Sequence, residues 1–241
     1  MSTISPIQLQ QEESPESKAR LEKDSILLQP EIKSWWVHRI MGPIEKFCIK
    51  IKLSPNTITL FASALCFIGF YLYATGHFLR GGWLVLLVGS LDVLDGRIAR
   101  ATNQVTMQGA FLDSVMDRYQ DFLFFAGLAI FYRTSWLLFL VLVALGGTLF
   151  VPYVRAKADS VGVDLSNIGF MQRPERFFLL GFGSILSSVF QIALMPFYGK
   201  GNPPPQHILI LVIMILAVST NWTAIKRIQY TMHILLEKER S

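Results

Sequence analysis

The sequence predicts an all-α, polytopic membrane protein with six transmembrane helices preceded by an amphipathic interfacial helix. Hydrophobic residues make up 52% of the 241 positions, and the mean hydropathy is +0.43, which is high for a soluble domain. Long apolar segments alternate with compact polar clusters, as in helical membrane proteins. Lys and Arg also concentrate in alternate connecting segments, which is the charge pattern of a multi-pass chain.

The residues before the first apolar segment divide into two parts. Residues 1–30 are rich in Ser, Pro, Gln and Glu, which is typical of a disordered tail, and no apolar stretch of a signal peptide follows the first Met. In residues 31–52, apolar side chains recur every three or four positions with basic residues between them. This pattern predicts an amphipathic helix in the cytoplasmic membrane interface. A helix packed on a soluble partner is the alternative.

Six segments are long and apolar enough to cross the hydrocarbon core, which takes about 20 helical residues. They lie at 56–76, 81–102, 108–132, 135–158, 175–198 and 206–228. They define a transmembrane domain over 53–230, followed by a cytoplasmic C-terminal tail at 231–241. The second and third segments carry charges where they meet, and a charge in the membrane costs about 2.5–3.5 kcal/mol on insertion scales. Partners, water or metal must therefore compensate this cluster.

The protein is expected in the inner membrane of the cell. The basic residues predict that both of its termini face the cytoplasm. The outer loops hold only three of the basic residues that flank the spans, Arg80, Arg133 and Lys200. The predicted inner side holds Lys33, Arg39, Lys46, Lys50, Lys52, Arg97, Arg100, Arg155, Lys157, Arg173, Arg176, Lys226, Arg227, Lys238 and Arg240. Topology and anionic lipid thus explain the net charge of +5. The basic–aromatic interleaving of a nucleic-acid-binding surface is not seen, so no nucleic-acid partner is expected.

Four aspartates lie where the second and third spans meet. Asp92 and Asp95 are three residues apart, and Asp113 and Asp117 are four apart, so each pair shares one helix face. The polar turn at 102–104 predicts a helical hairpin in which the two pairs face each other. Such a cluster needs compensation, which Mg²⁺ or Mn²⁺ with oxygen ligands would supply. Two ions about 3.5–4 Å apart would bind a pyrophosphate and stabilise its departure.

Small residues accompany the aspartates. Gly96 and Gly109 would allow a ligand to approach the backbone closely. Ala99 keeps the same face shallow, and Arg100 is placed to reach a phosphate oxygen. The alternative interpretations are a buried ionic lock between the aspartates and neighbouring arginines, or an ion-transport path.

The segment from Asp92 to Asp117 reads D-x₂-D-G-x₂-A-R-x₈-G-x₃-D-x₃-D. This pattern resembles the signature of the CDP-alcohol phosphotransferases, also called CDP-alcohol phosphatidyltransferases. Its fixed positions all match, and they are Asp92, Asp95, Gly96, Ala99, Arg100, Gly109, Asp113 and Asp117. The resemblance extends over residues 31–230 and implies a metal-dependent enzyme. Such an enzyme transfers a substituted phosphate from a CDP-linked lipid or alcohol to a hydroxyl and releases CMP.

The resemblance also implies roles for individual residues. Asp92, Asp95, Asp113 and Asp117 would ligate two Mg²⁺ ions, with Mn²⁺ possible, and Asp117 would also act as the general base. The CDP-lipid contacts expected from the family are Gly96, Arg100 and Thr106, together with Asn56 and Thr59 from a P-N-x-x-T element before the first span. Taken alone, that element is equally typical of a helix start.

Basic residues at three predicted inner helix ends bear on the acceptor alcohol. The segments YVRAKAD at 153–159 and GFMQRPER at 169–176 resemble those of prokaryotic phosphatidylinositol-phosphate synthases and archaetidylinositol-phosphate synthases. The resemblance implies an anionic acceptor, inositol 1-phosphate, and Lys157 stands where the pattern more often has Arg. The expected phosphate-binding residues are Arg155, Lys157, Arg173, Arg176 and Arg227. Positive-inside anchoring is the alternative explanation of these charges.

The expected reaction therefore uses CDP-diacylglycerol and inositol 1-phosphate. A phosphatidylglycerophosphate synthase acting on glycerol 3-phosphate is the alternative enzyme. An inactive scaffold or a transporter built on the same helices is the alternative of another class. The complete set of aspartates argues against inactivity, and the paired discontinuous segments of a transporter are not seen. Since the family is typically homodimeric, a homodimer is also expected.

Overall fold

The described part of the chain folds entirely as α-helices and connecting turns, which confirms the predicted all-α class. The computed structural model describes residues 41–165, 168–198 and 204–240. Within them lie α1 (Gly42–Lys50), α2 (Pro55–Ala74), α3 (Phe78–Ala101), α4 (Met107–Phe131), α5 (Leu137–Ser160), α6 (Arg173–Tyr198) and α7 (His207–Arg240). The polar tail predicted at 1–30, and residues 31–40 of the predicted amphipathic helix, lie outside the described residues.

Each of the six predicted spans corresponds to one helix from α2 to α7. In the part of the chain that the structure describes, α2, α5, α6 and α7 are long and apolar enough to cross a membrane. The sequences of α3 and α4 are less apolar because charged residues interrupt them where they approach each other. The chain is thus a multi-pass membrane protein in which two helices carry the polar chemistry.

Capping residues set the starts of α2 and α4. Ser54 precedes α2, and its Oγ accepts a hydrogen bond from the Thr57 backbone N–H at 3.3 Å. Thr106 precedes α4 and accepts one from the Gly109 N–H at 3.0 Å. Between α3 and α4, Asn103 adopts a left-handed conformation with φ of 55°. The polar turn predicted at 102–104 is therefore present.

The arrangement of α3 and α4 differs from the predicted hairpin. Both helices pack extensively against α2, and they make little contact with each other. Further pairs form between α3 and α6, α5 and α7, α6 and α7, and α4 and α5. Direct packing of α3 on α4 would press like-charged carboxylates together with no room for a compensating group. The α2 helix instead holds the two aspartate pairs apart, and α6 approaches from the α3 side.

A glycine contact brings α6 close to α3. A Cβ added to Gly82 would lie 2.6 Å from the carbonyl oxygen of Gly181, and a Cβ added to Gly181 would lie 3.0 Å from that of Gly82. Only glycine permits the two backbones to approach this closely. As a result, the first residue of α6, Arg173, reaches Asp92 on α3.

The α1 helix packs on the charged end of α3. Cys48 joins Ile58, Leu94 and other apolar side chains in a small core under α1. Glu45 of α1 also forms an ion pair with Arg97 of α3, with 2.7 Å between the Glu45 Oε2 and Arg97 Nε atoms. This contact links the described part of the predicted interfacial helix to the segment that carries Asp95.

The α7 helix is longer than its predicted span. Its 34 residues continue through the segment predicted as a C-terminal tail and end at Arg240, giving a length of about 51 Å against a hydrocarbon core of about 30 Å. Ile234 and Leu235 pack against the core that contains Leu165, and the Lys238 ammonium donates to the Gly162 carbonyl at 3.1 Å. These contacts with the loop after α5 therefore stabilise the last turns of α7 as helix.

Candidate active site

One guanidinium joins the two helices that carry the aspartates. Arg173 Nη2 donates to Asp92 Oδ2 of α3 at 2.7 Å, and its Nη1 forms an ion pair with Asp117 of α4. The three side chains are 13–22% exposed, so little water screens these contacts. The aspartates of the two helices are thus joined through an arginine of α6, which lies between Asp92 and Asp117, and not by the direct facing of the two pairs that was predicted.

Thr59 fixes the orientation of Asp95. Both side chains are buried, and Thr59 Oγ1 of α2 donates to Asp95 Oδ2 at 2.5 Å. The same oxygen lies 3.2 Å from the Pro55 carbonyl, but a hydroxyl has one proton, and the shorter contact is to the charged acceptor. Thr59, predicted as a CDP-lipid contact, therefore acts in this structure on a neighbouring carboxylate.

The remaining predicted CDP-lipid residues form two local groups. A Cβ added to Gly109 would lie 3.1 Å from Thr106 Oγ1 and 3.2 Å from Asn56 Oδ1. The starts of α2 and α4 therefore place these two polar side chains against a bare backbone. On α3, the guanidinium of Arg100 folds back over Gly96, with Nη1 3.5 Å from the position of an added Cβ.

A cavity of about 480 Å³ opens beside Asp117. It is lined by five arginines, which come from α4 to α7, namely Arg118, Arg155, Arg173, Arg176 and Arg227. Asp121, Asp159, Ser114 and Gln172 add oxygen atoms to the lining. Four of the five predicted phosphate-binding residues therefore share one cavity. The fifth, Lys157, is exposed on α5 and does not line this cavity.

Internal contacts orient two of the cavity arginines. Arg176 is 5% exposed, and its Nη2 lies 2.9 Å from Asp121 Oδ2. Arg227 is 4% exposed and donates from Nε to the Ile168 carbonyl and from Nη1 to the Val151 carbonyl, both at 2.8 Å. Only part of each guanidinium is used in these bonds, because arginine has five N–H donors.

Two residues that bond arginines of the site, Gln120 and Asp121, were not predicted. Asp121 follows Asp117 by four positions and so continues the spacing of Asp113 and Asp117, a signal that was present in the sequence. Gln120 is fully buried and bonds both Ser63 and Arg173. No motif marks this glutamine, since a single amide on an amphipathic helix carries no signal before its neighbours are known.

The aspartates fit a divalent cation by their chemistry. In the described residues, no three acidic, cysteine or histidine side chains converge closely enough to ligate one ion, and the Arg173 guanidinium compensates Asp92 and Asp117 instead. Yet Asp92 Oδ1 is buried and has no hydrogen-bond partner in the described part of the chain. Such an oxygen calls for a cation, and carboxylates suit Mg²⁺ and Mn²⁺.

Paired carboxylates on membrane helices, beside an arginine-lined cavity, are typical of a site for divalent cations and a phosphate-bearing substrate. The sequence agrees, because residues 52–228 match the family model of the CDP-alcohol phosphatidyltransferases. The chain belongs to this family, which confirms the resemblance carried by the aspartate motif.

Similar proteins include a phosphatidylinositol phosphate synthase and an archaetidylinositol phosphate synthase. The chain is 32% identical over 159 residues to a phosphatidylinositol phosphate synthase of Mycobacteroides abscessus, covering 64% of this chain and 72% of the relative. It is 35% identical over 147 residues to an archaetidylinositol phosphate synthase of Aeropyrum pernix, covering 60% of this chain and 73% of the relative.

Solved structures of the phosphatidylinositol phosphate synthase of Mycobacterium tuberculosis share the fold. The structure with CDP-DAG bound matches with a TM-score of 0.66 and 26% identity, covering 80% of this chain and 94% of that one. The structure in complex with manganese and citrate matches with a TM-score of 0.68 and 25% identity, covering 80% and 89%.

Proposed function

We propose that this chain transfers the phosphatidyl group of CDP-diacylglycerol to a hydroxyl of inositol 1-phosphate, giving phosphatidylinositol phosphate and CMP. The observation that carries the proposal is the arginine-lined cavity beside Asp117. Its volume of about 480 Å³ is within the usual 300–1,000 Å³ of ligand sites. Guanidinium groups suit a phosphate monoester, whereas a neutral alcohol would give no reason for this lining.

The relatives support the choice of both substrates. The relatives include a phosphatidylinositol phosphate synthase and an archaetidylinositol phosphate synthase, and a structure of the M. tuberculosis relative has CDP-DAG bound. In this chain Asn56, Thr106, Gly96 and Arg100 would contact the CDP moiety. Thr59 would act through Asp95, because its hydroxyl proton is already donated to that carboxylate.

Asp92, Asp95, Asp113 and Asp117 would hold two Mg²⁺ ions, with Mn²⁺ as the alternative, and these would compensate the pyrophosphate charge and stabilise CMP as the leaving group. The M. tuberculosis relative was solved in complex with manganese. With the charges of Asp92 and Asp117 compensated by the ions, Arg173 could turn towards the acceptor phosphate, since it lines the cavity as well.

Asp117 would act as the general base because it belongs to both parts of the site. It is one of the four aspartates and also lines the cavity. The acceptor hydroxyl gives its proton to Asp117 as its oxygen attacks the β-phosphorus. The bond from the β-phosphorus to the bridging oxygen then breaks, and CMP leaves with the α-phosphate.

The proposed membrane arrangement follows from the helices. The six helices α2 to α7 span the membrane, and α1 lies in the interface as part of the amphipathic helix at 31–52. Both termini and the active site face the cytoplasm of a cell inner membrane, in line with the positive-inside distribution. The protein works as a homodimer, as the family typically does.

The test is CMP release by the purified full-length protein in detergent with CDP-diacylglycerol and Mg²⁺. Inositol 1-phosphate should support release, and free inositol, which lacks the phosphate, should support far less. Chelation of the divalent cation should stop the reaction. No CMP release with any acceptor would refute the transferase assignment. Release with glycerol 3-phosphate and not with inositol 1-phosphate would assign the second candidate acceptor instead.

A further inference from the structure

A buried amide that does not line the cavity bonds Arg173. Gln120 lies on α4, three residues after Asp117, and is 0% exposed. Its Nε2 donates to Ser63 Oγ of α2 at 3.1 Å, and its Oε1 accepts from Arg173 Nη2. One side chain thus connects α2, α4 and α6 next to the aspartates. A buried amide left without partners would be strongly disfavoured, so these bonds constrain its position.

Ser63 determines which end of the amide faces Arg173. The Ser63 hydroxyl donates its single proton to the Thr59 carbonyl at 2.9 Å. Its oxygen can therefore only accept from Gln120, and this requires the amide nitrogen at that end. A guanidinium has only donors, so the amide oxygen is the end that can bond Arg173. Both neighbours thus demand the same orientation of the Gln120 amide.

We propose that Gln120, oriented by Ser63, is a positioning residue that holds the Arg173 guanidinium at the boundary between the aspartates and the acceptor cavity. This inference rests on the proposed function. The other polar partners of Arg173 are Asp92 and Asp117, both proposed metal ligands. Gln120 is uncharged, so it continues to accept from Arg173 when those carboxylates are compensated in another way. It thereby keeps the guanidinium within reach of an acceptor phosphate.

The first test replaces Gln120 by Leu, which keeps most of the volume and removes the hydrogen bonds of the amide to Ser63 and Arg173. In the full-length protein in detergent, the KM for inositol 1-phosphate should rise about tenfold, the change expected from the loss of a charge-assisted contact. The KM for CDP-diacylglycerol should stay within about twofold, because the CDP-lipid contacts lie on other residues. Equal changes in both KM values, or no change in either, would overturn the inference.

The matched control is Gln206→Leu. Gln206 is also a buried glutamine, and it accepts from Ser187 Oγ at 2.8 Å in a network between α6 and the start of α7, away from the aspartates. Its replacement should lower the thermal stability and leave the acceptor KM unchanged. If Gln120→Leu behaves in the same way as this control, its role is only structural.

The second test is a double-mutant cycle with Ser63→Ala. Because Ser63 acts on Arg173 through Gln120, this change should raise the acceptor KM severalfold in the otherwise unchanged protein. It should have no further effect in the Gln120→Leu background, since the two residues form one chain of bonds. Additive effects would show that the two residues act separately and would contradict the proposed orientation by Ser63.

A third measurement needs no turnover. Inorganic phosphate should raise the thermal stability of the unchanged protein by binding in the cavity, and Gln120→Leu should need about tenfold more phosphate for the same effect. This dependence together with no CMP release would keep the inference and refute the proposed function. Normal acceptor kinetics in Gln120→Leu would refute the inference and keep the proposed function. No stabilisation by phosphate and no turnover would overturn both.

Discussion

The Arg173 side chain has neighbours of opposite chemistry. Asp92 and Asp117 surround its polar end, the ring of Phe177 lies 4.7 Å from its Cζ atom, and the acceptor cavity adjoins it. The aromatic ring fixes the plane of the guanidinium through a cation–π contact. An arginine in this setting can compensate the aspartates or bind an anion in the cavity.

Replacement of Arg173 by Ala should therefore have two effects. The KM for inositol 1-phosphate should rise by about tenfold or more, with a much smaller change for the CDP-lipid. The Mg²⁺ concentration for half-maximal activity should fall, because a competing cation has been removed from Asp92 and Asp117. Steady-state kinetics at varied Mg²⁺ would measure both. Arg133→Ala, at an exposed arginine in the turn after α4, is the control. Equal KM changes for both substrates would favour the alternative in which Arg173 serves only as a positive-inside membrane anchor.

Replacement of Asp117 by Asn should remove the general base while keeping the shape of the side chain. The kcat should fall by about 10²–10⁴-fold, and binding of CDP-diacylglycerol, measured by calorimetry, should largely remain. Asp159→Asn changes another carboxylate in the cavity lining and should cost less than about tenfold, since Asp159 lies outside the aspartate motif. A near-normal rate for Asp117→Asn would assign the proton transfer to another group.

The sequence predicted the aspartates of the site but not the partners of its arginines. The spacing of Asp92, Asp95, Asp113 and Asp117 is local information, since residues three or four apart share a helix face. The contact of Arg173 with Asp92 joins positions 81 residues apart. It depends on the Gly82–Gly181 approach, and no local pattern reports which helices meet.

At the scale of the helices, α5 and α7 form a closely packed pair that carries two of the cavity arginines. A Cβ added to Gly147 of α5 would overlap Thr220 Oγ1 and lie 2.8 Å from the Asn221 backbone nitrogen of α7. A backbone atom cannot move aside as a flexible side chain can. The spacing of these helices, and with it the distance between Arg155 and Arg227, therefore depends on this glycine.

Gly147→Ala should destabilise the protein by about 1–3 kcal/mol, the usual cost of overpacking, and should weaken acceptor binding. Thermal unfolding in detergent would measure the first effect. The neighbouring Gly146 offers a matched control, because a Cβ there meets nothing within 4 Å. Gly146→Ala should be neutral or slightly stabilising, as alanine favours helix. Similar losses of stability for both variants would contradict the packing argument.

Helix limits were predictable where they coincide with the ends of apolar runs, as for α2 and α5. The extension of α7 was not, because 231–240 is rich in charge and its helix is stabilised by contacts of Ile234 and Leu235 with another loop. The arrangement of α3 and α4 also escaped prediction. A short turn predicts that the two helices it joins pack against each other. In this structure both helices pack on α2 instead.

At the scale of the whole molecule, the basic residues predict which ends of the helices face the cytoplasm. Arg133→Cys, in the turn between α4 and α5, should react with a membrane-impermeant maleimide in intact bacterial cells. Glu239→Cys, near the end of α7, should react only after the cells are permeabilised. The native Cys48 and Cys66 are buried, so the unchanged chain gives the background. The opposite pattern of labelling would invert the proposed topology.

The division of the site between distant parts of the chain has a consequence for its synthesis. Asp92 is translated 81 residues before the arginine that compensates it, and ribosomes add about 5–20 residues per second. The guanidinium is therefore absent for about 4–16 seconds after Asp92 of α3 is made, and for about 3–11 seconds after Asp117 of α4 is made. The nascent chain must keep this part hydrated or bound to a cation during that interval, so insertion of the two helices is expected to finish only after α6 emerges.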